Sequence, residues 1–248
     1  MEACALRTEI LGVSFDDLTI DEAADRAAGL LEGEGFHYVV TPNPEMVDRA
    51  RREETFRDTL NGADLVLPDG IGVVYAAKLL GRPLKGRCPG IDFAGGLMER
   101  MARKGQRLYL LGAKPGVAEE AAARLEARYP GLVICGVRDG YFQEDGPVVD
   151  GIKKAGADAV FVCLGFPKQE YWMVKNGPAT GARLLAGLGG SLDVFAGVVE
   201  RAPVSWQRLG LEWLYRLVRE PKRIGRMARL PLFLVAALGA RGKERRQA

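Results

Sequence analysis

The stretch ADLVLPDGIG, residues 63–72, is an apolar run followed by an acid, a glycine turn and the start of the next apolar segment. The run LVL predicts a buried strand, so that Asp69 lies at the carboxyl end of this strand. Two interpretations of Asp69 stay open. It caps a helix that begins near Ile71, as Asp commonly does, or it is a catalytic base at the edge where open parallel sheets hold their sites.

Apolar runs alternate with amphipathic helical stretches on both sides of this unit. Alternation of this kind implies β-α-β crossovers and a parallel sheet that helices cover on both faces. The sequence therefore predicts an α/β fold with a Rossmann-like, mostly parallel sheet. Residues 36–41, 107–112, 132–137, 157–165 and 182–189 predict further strands, and residues 43–60, 72–81, 91–105 and 116–130 predict helices.

The bulk composition excludes several classes of protein. The four cysteines lie far apart and form no CxxC pair, which favours a reduced, cytoplasmic protein. His37 is the only histidine and stands in an apolar strand, so that a zinc site or a Ser-His-Asp triad is not expected. No signal peptide is expected, and the longest apolar stretch, residues 230–240, is about half of a membrane-spanning helix.

The C-terminal region differs from the rest of the chain in charge. Residues 201–248 hold 12 Lys/Arg and 3 Asp/Glu, whereas residues 1–200 hold 23 basic and 29 acidic residues. We divide the chain into an α/β core, residues 1–195, and a basic helical segment, residues 196–248. In that segment one helix is predicted before Pro221, and its apolar positions are Trp206, Leu209, Trp213, Leu217 and Val218.

Polar residues and glycines follow several of the predicted strands. Thr41 and Asn43 end one strand, and Asn43 could simply cap the next helix. The sequence LLGAKPG, residues 110–116, resembles a phosphate-binding turn around Gly112, although it is not a complete dinucleotide or P-loop motif. Gln169 belongs to CLGFPKQE, residues 163–170, whose polar end could also be a solvated helix start.

The loop GRCPGIDF, residues 86–93, offers Arg87 and Asp92, which could also form a structural pair across a turn. Because the carboxyl ends of parallel strands lie at one edge of a sheet, residues from separate strand exits can meet in one crevice. We expect Thr41, Asn43, Asp69, Gly112 and Gln169 to converge in this way.

The segments TPNPEMV, ADLVLPDGIGVV, RCPGIDF, LLGAKPG and GFPKQE together resemble the WecG/TagA/CpsF family, glycosyltransferase family 26. The resemblance is colinear over roughly residues 9–200, and EWLYRLVREPKRIGR resembles the C-terminal segment of the family. It implies an inverting transferase that moves N-acetylmannosamine from UDP to the 4-hydroxyl of GlcNAc-diphospho-undecaprenol. The product is a β-1,4 linkage in wall teichoic acid or related surface-polymer synthesis.

The resemblance also implies roles for individual residues. Asp69 would be the base, with Thr41, Asn43 and Gln169 lining the site. No cofactor and no metal would be needed. Arginines of the C-terminal segment would meet the diphosphate near the membrane: Arg216, Arg223 and Arg226.

The residues themselves agree with this reaction. One carboxylate suffices to take the proton of an acceptor hydroxyl. No two aspartates stand two apart as in the metal-binding Asp-x-Asp motif, so backbone amides and arginines would stabilise the UDP leaving group. The basic segment could bind the anionic inner face of the cell membrane peripherally, or it could be a solvated face packed on the body.

Several alternatives remain open from the sequence. The donor could be UDP-N-acetylmannosaminuronic acid or another UDP-hexose, and Asp92 or Asp193 could be the base instead of Asp69. A dehydrogenase or methyltransferase would need a complete glycine motif with its downstream acid, which is missing. A nucleic-acid-binding module is disfavoured because no such motif is recognised, and a homo-oligomer is left open.

Overall fold

The structure is a computed structural model that describes residues 7–219 and 229–247. In this part of the chain a two-stranded antiparallel hairpin accompanies a six-stranded, all-parallel sheet, and helices lie on both sheet faces. The predicted α/β fold is therefore confirmed. The strands are β1 (Arg7–Ile10), β2 (Val13–Asp16), β3 (His37–Val40), β4 (Leu65–Val66), β5 (Arg107–Gly112), β6 (Val133–Arg138), β7 (Ala159–Cys163) and β8 (Leu184–Gly187).

The helices fill the connections and the C-terminal region. They are α1 (Ile20–Glu32), α2 (Pro44–Ala50), α3 (Glu54–Asn61), α4 (Ile71–Leu80), α5 (Gly90–Lys104), α6 (Val117–Arg128), α7 (Asp145–Ala155), α8 (Lys168–Thr180), α9 (Ser191–Phe195), α10 (Val204–Arg208), α11 (Glu212–Arg219) and α12 (Arg229–Gln247). None of these helices, within the described residues, has the length and apolar character that a bilayer crossing requires.

The strand order of the main sheet is β4-β3-β8-β7-β5-β6. The chain leaves β7 towards β8 and leaves β5 towards β6, in the opposite direction along the sheet. Such a reversal opens a crevice at the carboxyl ends of the two strands, which is where open α/β sheets bind ligands. Here the reversal lies between β5 and β7, and we call the carboxyl edge of the sheet, from β4 to β5, the crevice.

Side chains of successive strand residues pack on opposite faces of the sheet. In β3, for example, Val40 packs on one face, together with α2, α3, α4, α7, α8 and α12. Val39 packs on the other face, together with α1, α5, α6 and α9. The near-continuous apolar strands of the sequence follow from this burial on both sides.

The hairpin β1–β2 is not evident from the alternation of strands and helices in the sequence. Its turn is formed by Leu11 and Gly12, both with positive φ. The hairpin covers the edge of the main sheet, because the buried carboxylate of Asp16 accepts the backbone N–H of Val66 in β4 at 2.8 Å. An otherwise unpaired edge donor is thus satisfied.

The prediction of one continuous helix over residues 43–60 is wrong, because this stretch forms two helices, α2 and α3. A single straight helix would continue the buried stripe of Met46, Val47 and Ala50 through positions 54 and 57, which are charged. The residues that α3 buries are Phe56 and Leu60. The break between the helices therefore turns these two side chains into the core.

The predicted single helix before Pro221 is also wrong, because α10 and α11 are separate. Gly210 lies between them with φ of +70°, a conformation that does not continue a helix. Leu209, expected on an apolar face, is 68% exposed. Trp206 is half-buried and its ring packs edge-on against Tyr215, with 5.7 Å between the ring centroids.

Candidate active site

The exits of β5 and β7 approach each other so closely that only glycine fits at position 112. Gly112 has φ of +131°, and a Cβ atom built there would lie 2.2 Å from the carbonyl oxygen of Cys163. The next residue, Ala113, donates its N–H to this same oxygen at 3.2 Å. Gly112, the first glycine of LLGAKPG, is therefore required by strand packing. The turn leads through Gly116 into the first residues of α6.

Thr41 ties the exit of β3 to the exit of β8. Its hydroxyl donates to the carbonyl oxygen of Gly187 at 3.0 Å, and the residue is buried. Behind it, a Cβ on Gly90 would lie only 3.2 Å from the Thr41 hydroxyl, so that α5 begins in close contact with this site. Thr41 therefore joins the carboxyl ends of β3 and β8.

Asn43 caps the helix that follows β3, in agreement with the simpler of its two interpretations. Its Oδ1 accepts the backbone N–H groups of Glu45 at 2.9 Å and Met46 at 3.1 Å, and Pro44 stands at the first helical position. These bonds satisfy two of the donors that a helix start leaves unpaired. The cap uses only Oδ1, so the Nδ2 hydrogens of the side chain are not part of it.

Asp69 does not cap α4, so that the capping interpretation is wrong. The N-cap residue is Gly70, with φ of +92°, and this glycine has no side chain with which to cap the helix. The backbone N–H of Asp69 donates to the carbonyl oxygen of Pro42 at 3.1 Å, which joins the exits of β3 and β4. The residue is half-buried.

The carboxylate of Asp69 interacts electrostatically with the neighbouring loop. Burial raises the pKa of the Cys88 thiol to about 12, with the carboxylates of Asp69 and Asp92 acting in the same direction. The backbone N–H of Cys88 donates to the carbonyl oxygen of Pro68 at 2.7 Å. The loop that carries Arg87 and Cys88 is therefore held against the exit of β4.

Gln169 is buried and bridges the exits of β7 and β8. Its Oε1 accepts the N–H of Gly189 at 3.0 Å, and its Nε2 donates to Oε1 of Glu170 at 2.8 Å. Both side chains are buried, so the alternative of a solvated helix start is wrong for Gln169 and Glu170, although Lys168 is exposed. Gln169 holds the turn after β8 beside Thr41.

Glu170 follows Gln169 in α8 and was not predicted from the sequence as a site residue. Burial raises the pKa of its carboxyl group to about 7, although the hydrogen bond from Gln169 favours the ionised form. Its second oxygen, Oε2, is buried without a hydrogen-bond partner. An acid next to a Gly-x-Pro turn carries no sequence signal of burial, and only the packing of α8 reveals it.

Arg87 and Asp92 do not form the pair that was considered for their loop. The Arg87 guanidinium bonds the carboxylate of Glu212 at 2.8 Å and the carbonyl oxygen of Gln207 at 3.0 Å. Asp92 receives two bonds from Arg201, at 2.6 and 2.7 Å. Both loop residues therefore bind the C-terminal segment, which connects that segment to the crevice.

The three arginines that were expected to contact the diphosphate are not among the residues and side chains that the structure describes. Arg223 and Arg226 lie outside the described residues, as does the side chain of Arg216 in α11. Among residues 7–219 and 229–247, no group of three or more His, Cys, Asp or Glu side chains is arranged to hold a metal ion.

The fold therefore brings Thr41, Asn43, Asp69, Gly112 and Gln169 to the carboxyl edge of the parallel sheet. The model of the glycosyl transferase WecG/TagA/CpsF family matches residues 8–247. This chain belongs to that family.

Curated relatives carry a specific name. A protein of Bacillus spizizenii strain W23 is 40% identical over 201 residues, which cover 81% of this chain and 78% of the relative. Proteins of Staphylococcus aureus strains MW2 and NCTC 8325 are 35% identical over 240 residues, which cover 96% of this chain and 94% of each relative. All three are named N-acetylglucosaminyldiphosphoundecaprenol N-acetyl-beta-D-mannosaminyltransferase.

Proposed function

We propose that this protein transfers N-acetylmannosamine from UDP to GlcNAc-diphospho-undecaprenol, with inversion at the anomeric carbon. The product is a β-1,4-linked disaccharide on the lipid, the linkage unit of wall teichoic acid. The observation that carries the proposal is the similarity, over most of the chain, to relatives named for this transfer. The position of Asp69 at the carboxyl edge of the sheet supports it.

Asp69 serves as the general base in this proposal. An inverting transfer is a single displacement in which the acceptor hydroxyl loses a proton as it attacks, and one positioned carboxylate is enough. The half-buried Asp69 is held by its backbone bond to Pro42 between the exits of β3 and β4. Asn43 follows Pro42 on the same β3 exit, and its Nδ2 hydrogens are available to orient a sugar hydroxyl.

The UDP leaving group is stabilised without a metal ion in this proposal. A diphosphate needs hydrogen-bond donors and positive charge as its bond to the sugar breaks. The turn from Gly112 to Gly116 leads into the twelve-residue helix α6 at the switch point of the sheet. The N-terminus of a helix favours a diphosphate group. Arg87 supplies positive charge from the loop beside Asp69.

The lipid acceptor requires the enzyme to work at a membrane surface. We place the protein at the inner face of the cell membrane as a peripheral protein. The basic composition of residues 201–248 favours an anionic leaflet. Helix α12 supports this placement, because Leu232, Val235 and Leu238 expose apolar side chains at three-residue spacing.

The decisive experiment is UDP release from UDP-N-acetylmannosamine by the purified protein in EDTA, with and without a GlcNAc-diphospho-lipid. We expect release that depends on the acceptor and continues in EDTA. Asp69→Asn should lower the rate by at least about a hundredfold, whereas Asp150→Asn, at an exposed position of α7, should not.

Three results would contradict parts of this proposal. Strong inhibition by EDTA would exclude the metal-independent step. A near-normal rate of Asp69→Asn, with the fold verified by circular dichroism, would exclude Asp69 as the base. Release from UDP-GlcNAc or UDP-N-acetylmannosaminuronic acid, in place of UDP-N-acetylmannosamine, would assign another donor.

A further inference from the structure

Two arginines converge on one carboxylate beside the crevice. Arg87 donates from Nη1 to Oε2 of Glu212 at 2.8 Å, and Arg201 donates from Nε to Oε1 of Glu212 at 3.4 Å. Each oxygen of Glu212 thus faces a different guanidinium group, and the Glu212 side chain is only 12% exposed. Two guanidinium groups around one anion are the arrangement with which proteins hold carboxylates and phosphates.

The loop that carries Arg87 lies next to the proposed base. Arg87 immediately precedes Cys88, whose N–H bonds the carbonyl oxygen of Pro68, one residue before Asp69. On the other side, Gly210 lies against α4, since a Cβ atom built on it would be 3.1 Å from Cγ1 of Ile71. The loop that carries Arg87 and the segment around Gly210 therefore both lie close to the start of α4, which Asp69 precedes by two residues.

The 3.4 Å contact between Glu212 and Arg201 is longer than the other hydrogen bonds described here for Arg87 and Arg201. Asp92 holds Arg201 in a bidentate pair at 2.6 and 2.7 Å. Arg87 has a second partner in the carbonyl oxygen of Gln207 at 3.0 Å. If Glu212 moves away, both guanidinium groups keep a partner that orients them, and the cluster of Arg87, Arg201 and Asp92 is left with one net positive charge.

We propose that Glu212 occupies an anion site formed by Arg87 and Arg201, and that the diphosphate of a substrate displaces it. The inference rests on the proposed function, which supplies a substrate with a diphosphate group. A diphosphate carries more negative charge and more acceptor oxygens than one carboxylate, so it competes effectively for the two guanidinium groups. Glu212 then sets the affinity of the enzyme for its anionic ligand.

The test is calorimetric titration of the full-length protein with UDP and, separately, with inorganic pyrophosphate at low ionic strength. Glu212→Gln keeps an oxygen that can accept from Arg87 and removes the charge that competes with the ligand. We expect both ligands to bind about fivefold or more tightly to this variant, as for removal of a competing charge at a close ion pair. Arg87→Gln should weaken both by about tenfold or more.

Glu200→Gln is the matched control, because it makes the same charge change in the same segment. Glu200 pairs with Arg219 at 2.9 Å, and both side chains are well exposed. This variant should change both affinities less than about twofold, since exposed pairs contribute little. If Glu212→Gln is poorly folded, Glu212→Asp retains the charge but shortens the side chain, and it should bind the two ligands more tightly than the wild type by a smaller factor.

The outcomes separate this inference from the proposed function. If the wild type binds UDP or pyrophosphate and the folded Glu212 variants bind them no more tightly, the displacement is excluded even where transfer is observed. If neither ligand binds any folded variant, the anion site itself is excluded. Tighter pyrophosphate binding by Glu212→Gln, without turnover of any UDP-sugar, would support the site and contradict the transferase proposal.

Discussion

Replacing Glu170 by glutamine should stabilise the protein at pH 8 and change its stability little at pH 5. Burial raises the pKa of this carboxyl group from 4.5 to about 7, and its Oε2 has no hydrogen-bond partner. Because the folded state holds the proton more tightly than the unfolded state, the stability contributed by Glu170 is complete below pH 4.5. It is lost as the pH rises through the pKa of the folded state, about 7.

The size of the effect follows from the shift of the pKa. One pKa unit corresponds to about 1.4 kcal/mol, so the wild type should lose roughly 3 kcal/mol of stability by about pH 8. The glutamine side chain of the variant cannot ionise, and its amide oxygen can still accept from Nε2 of Gln169. The free energy of unfolding of Glu170→Gln relative to the wild type should therefore rise by about 2 to 3 kcal/mol between about pH 5 and pH 8.

Urea denaturation at several pH values measures this difference directly. Glu53→Gln is the control of opposite sign, because hydrogen bonds from Tyr171 and Arg49 lower the pKa of Glu53. Stability contributed by Glu53 is present at neutral pH and lost in acid, so this variant should be less stable than the wild type at neutral pH. A stability difference for Glu170→Gln that does not vary with pH would refute the argument.

Three further substitutions test how the crevice and the C-terminal helix are held. Asn43→Ala removes the two capping bonds of α2 and should lower the free energy of unfolding by about 1 kcal/mol in urea titrations, whereas an unchanged value would mean that the cap contributes nothing. Gly112→Ala should give a protein that is strongly destabilised or fails to fold, because the new methyl group would clash with the carbonyl oxygen of Cys163. A normal melting temperature would show that β5 and β7 can move apart. Phe233→Ala should lower the free energy of unfolding by about 3 to 5 kcal/mol, since Phe233 is buried. Leu232→Ala, at the exposed neighbouring position, should change it by less than about 0.5 kcal/mol. Equal effects of the two substitutions would contradict the packing of α12.

The alternation of strands and helices in the sequence was sufficient to predict the parallel sheet, since buried strands leave apolar runs that the helices separate. It could not predict where helices break. Residues 43–60 have strong helical character throughout, and only the need to bury Phe56 and Leu60 explains the break that separates α3 from α2. The hairpin β1–β2, which covers a sheet edge through Asp16, stands outside the alternation of strands and helices, so that this alternation does not predict it.

The sequence predicted which residues lie at the carboxyl edge of the sheet more reliably than it predicted their hydrogen-bond partners. Asn43, Gln169 and Thr41 lie at strand exits as expected, but all three also hold neighbouring backbone groups. Arg87 and Asp92 are five residues apart and suggested a local pair, yet their partners are Glu212 and Arg201, more than a hundred residues away. Partners at such a distance depend on tertiary packing and leave no pattern within one loop.

Helix α12 connects the proposed membrane contact to the proposed base. Phe233 and Ala237 are buried in the core that also contains α4, whereas Leu232, Val235 and Leu238 are exposed. Because α4 begins two residues after Asp69, the exposed stripe and the proposed base are carried by packed elements of one core. A membrane bound to this stripe would therefore keep a fixed orientation relative to α4 and Asp69.

The double variant Leu232→Ser/Val235→Ser tests this arrangement. Both side chains are more than 60% exposed, so the fold should tolerate the change. Binding to anionic phospholipid vesicles should fall, because each substitution removes apolar area that the membrane would cover. The rate with the undecaprenyl-linked acceptor should fall with it, while the rate with a short-chain, water-soluble acceptor should not. Equal losses with both acceptors would show that the stripe acts on the crevice and not on the membrane.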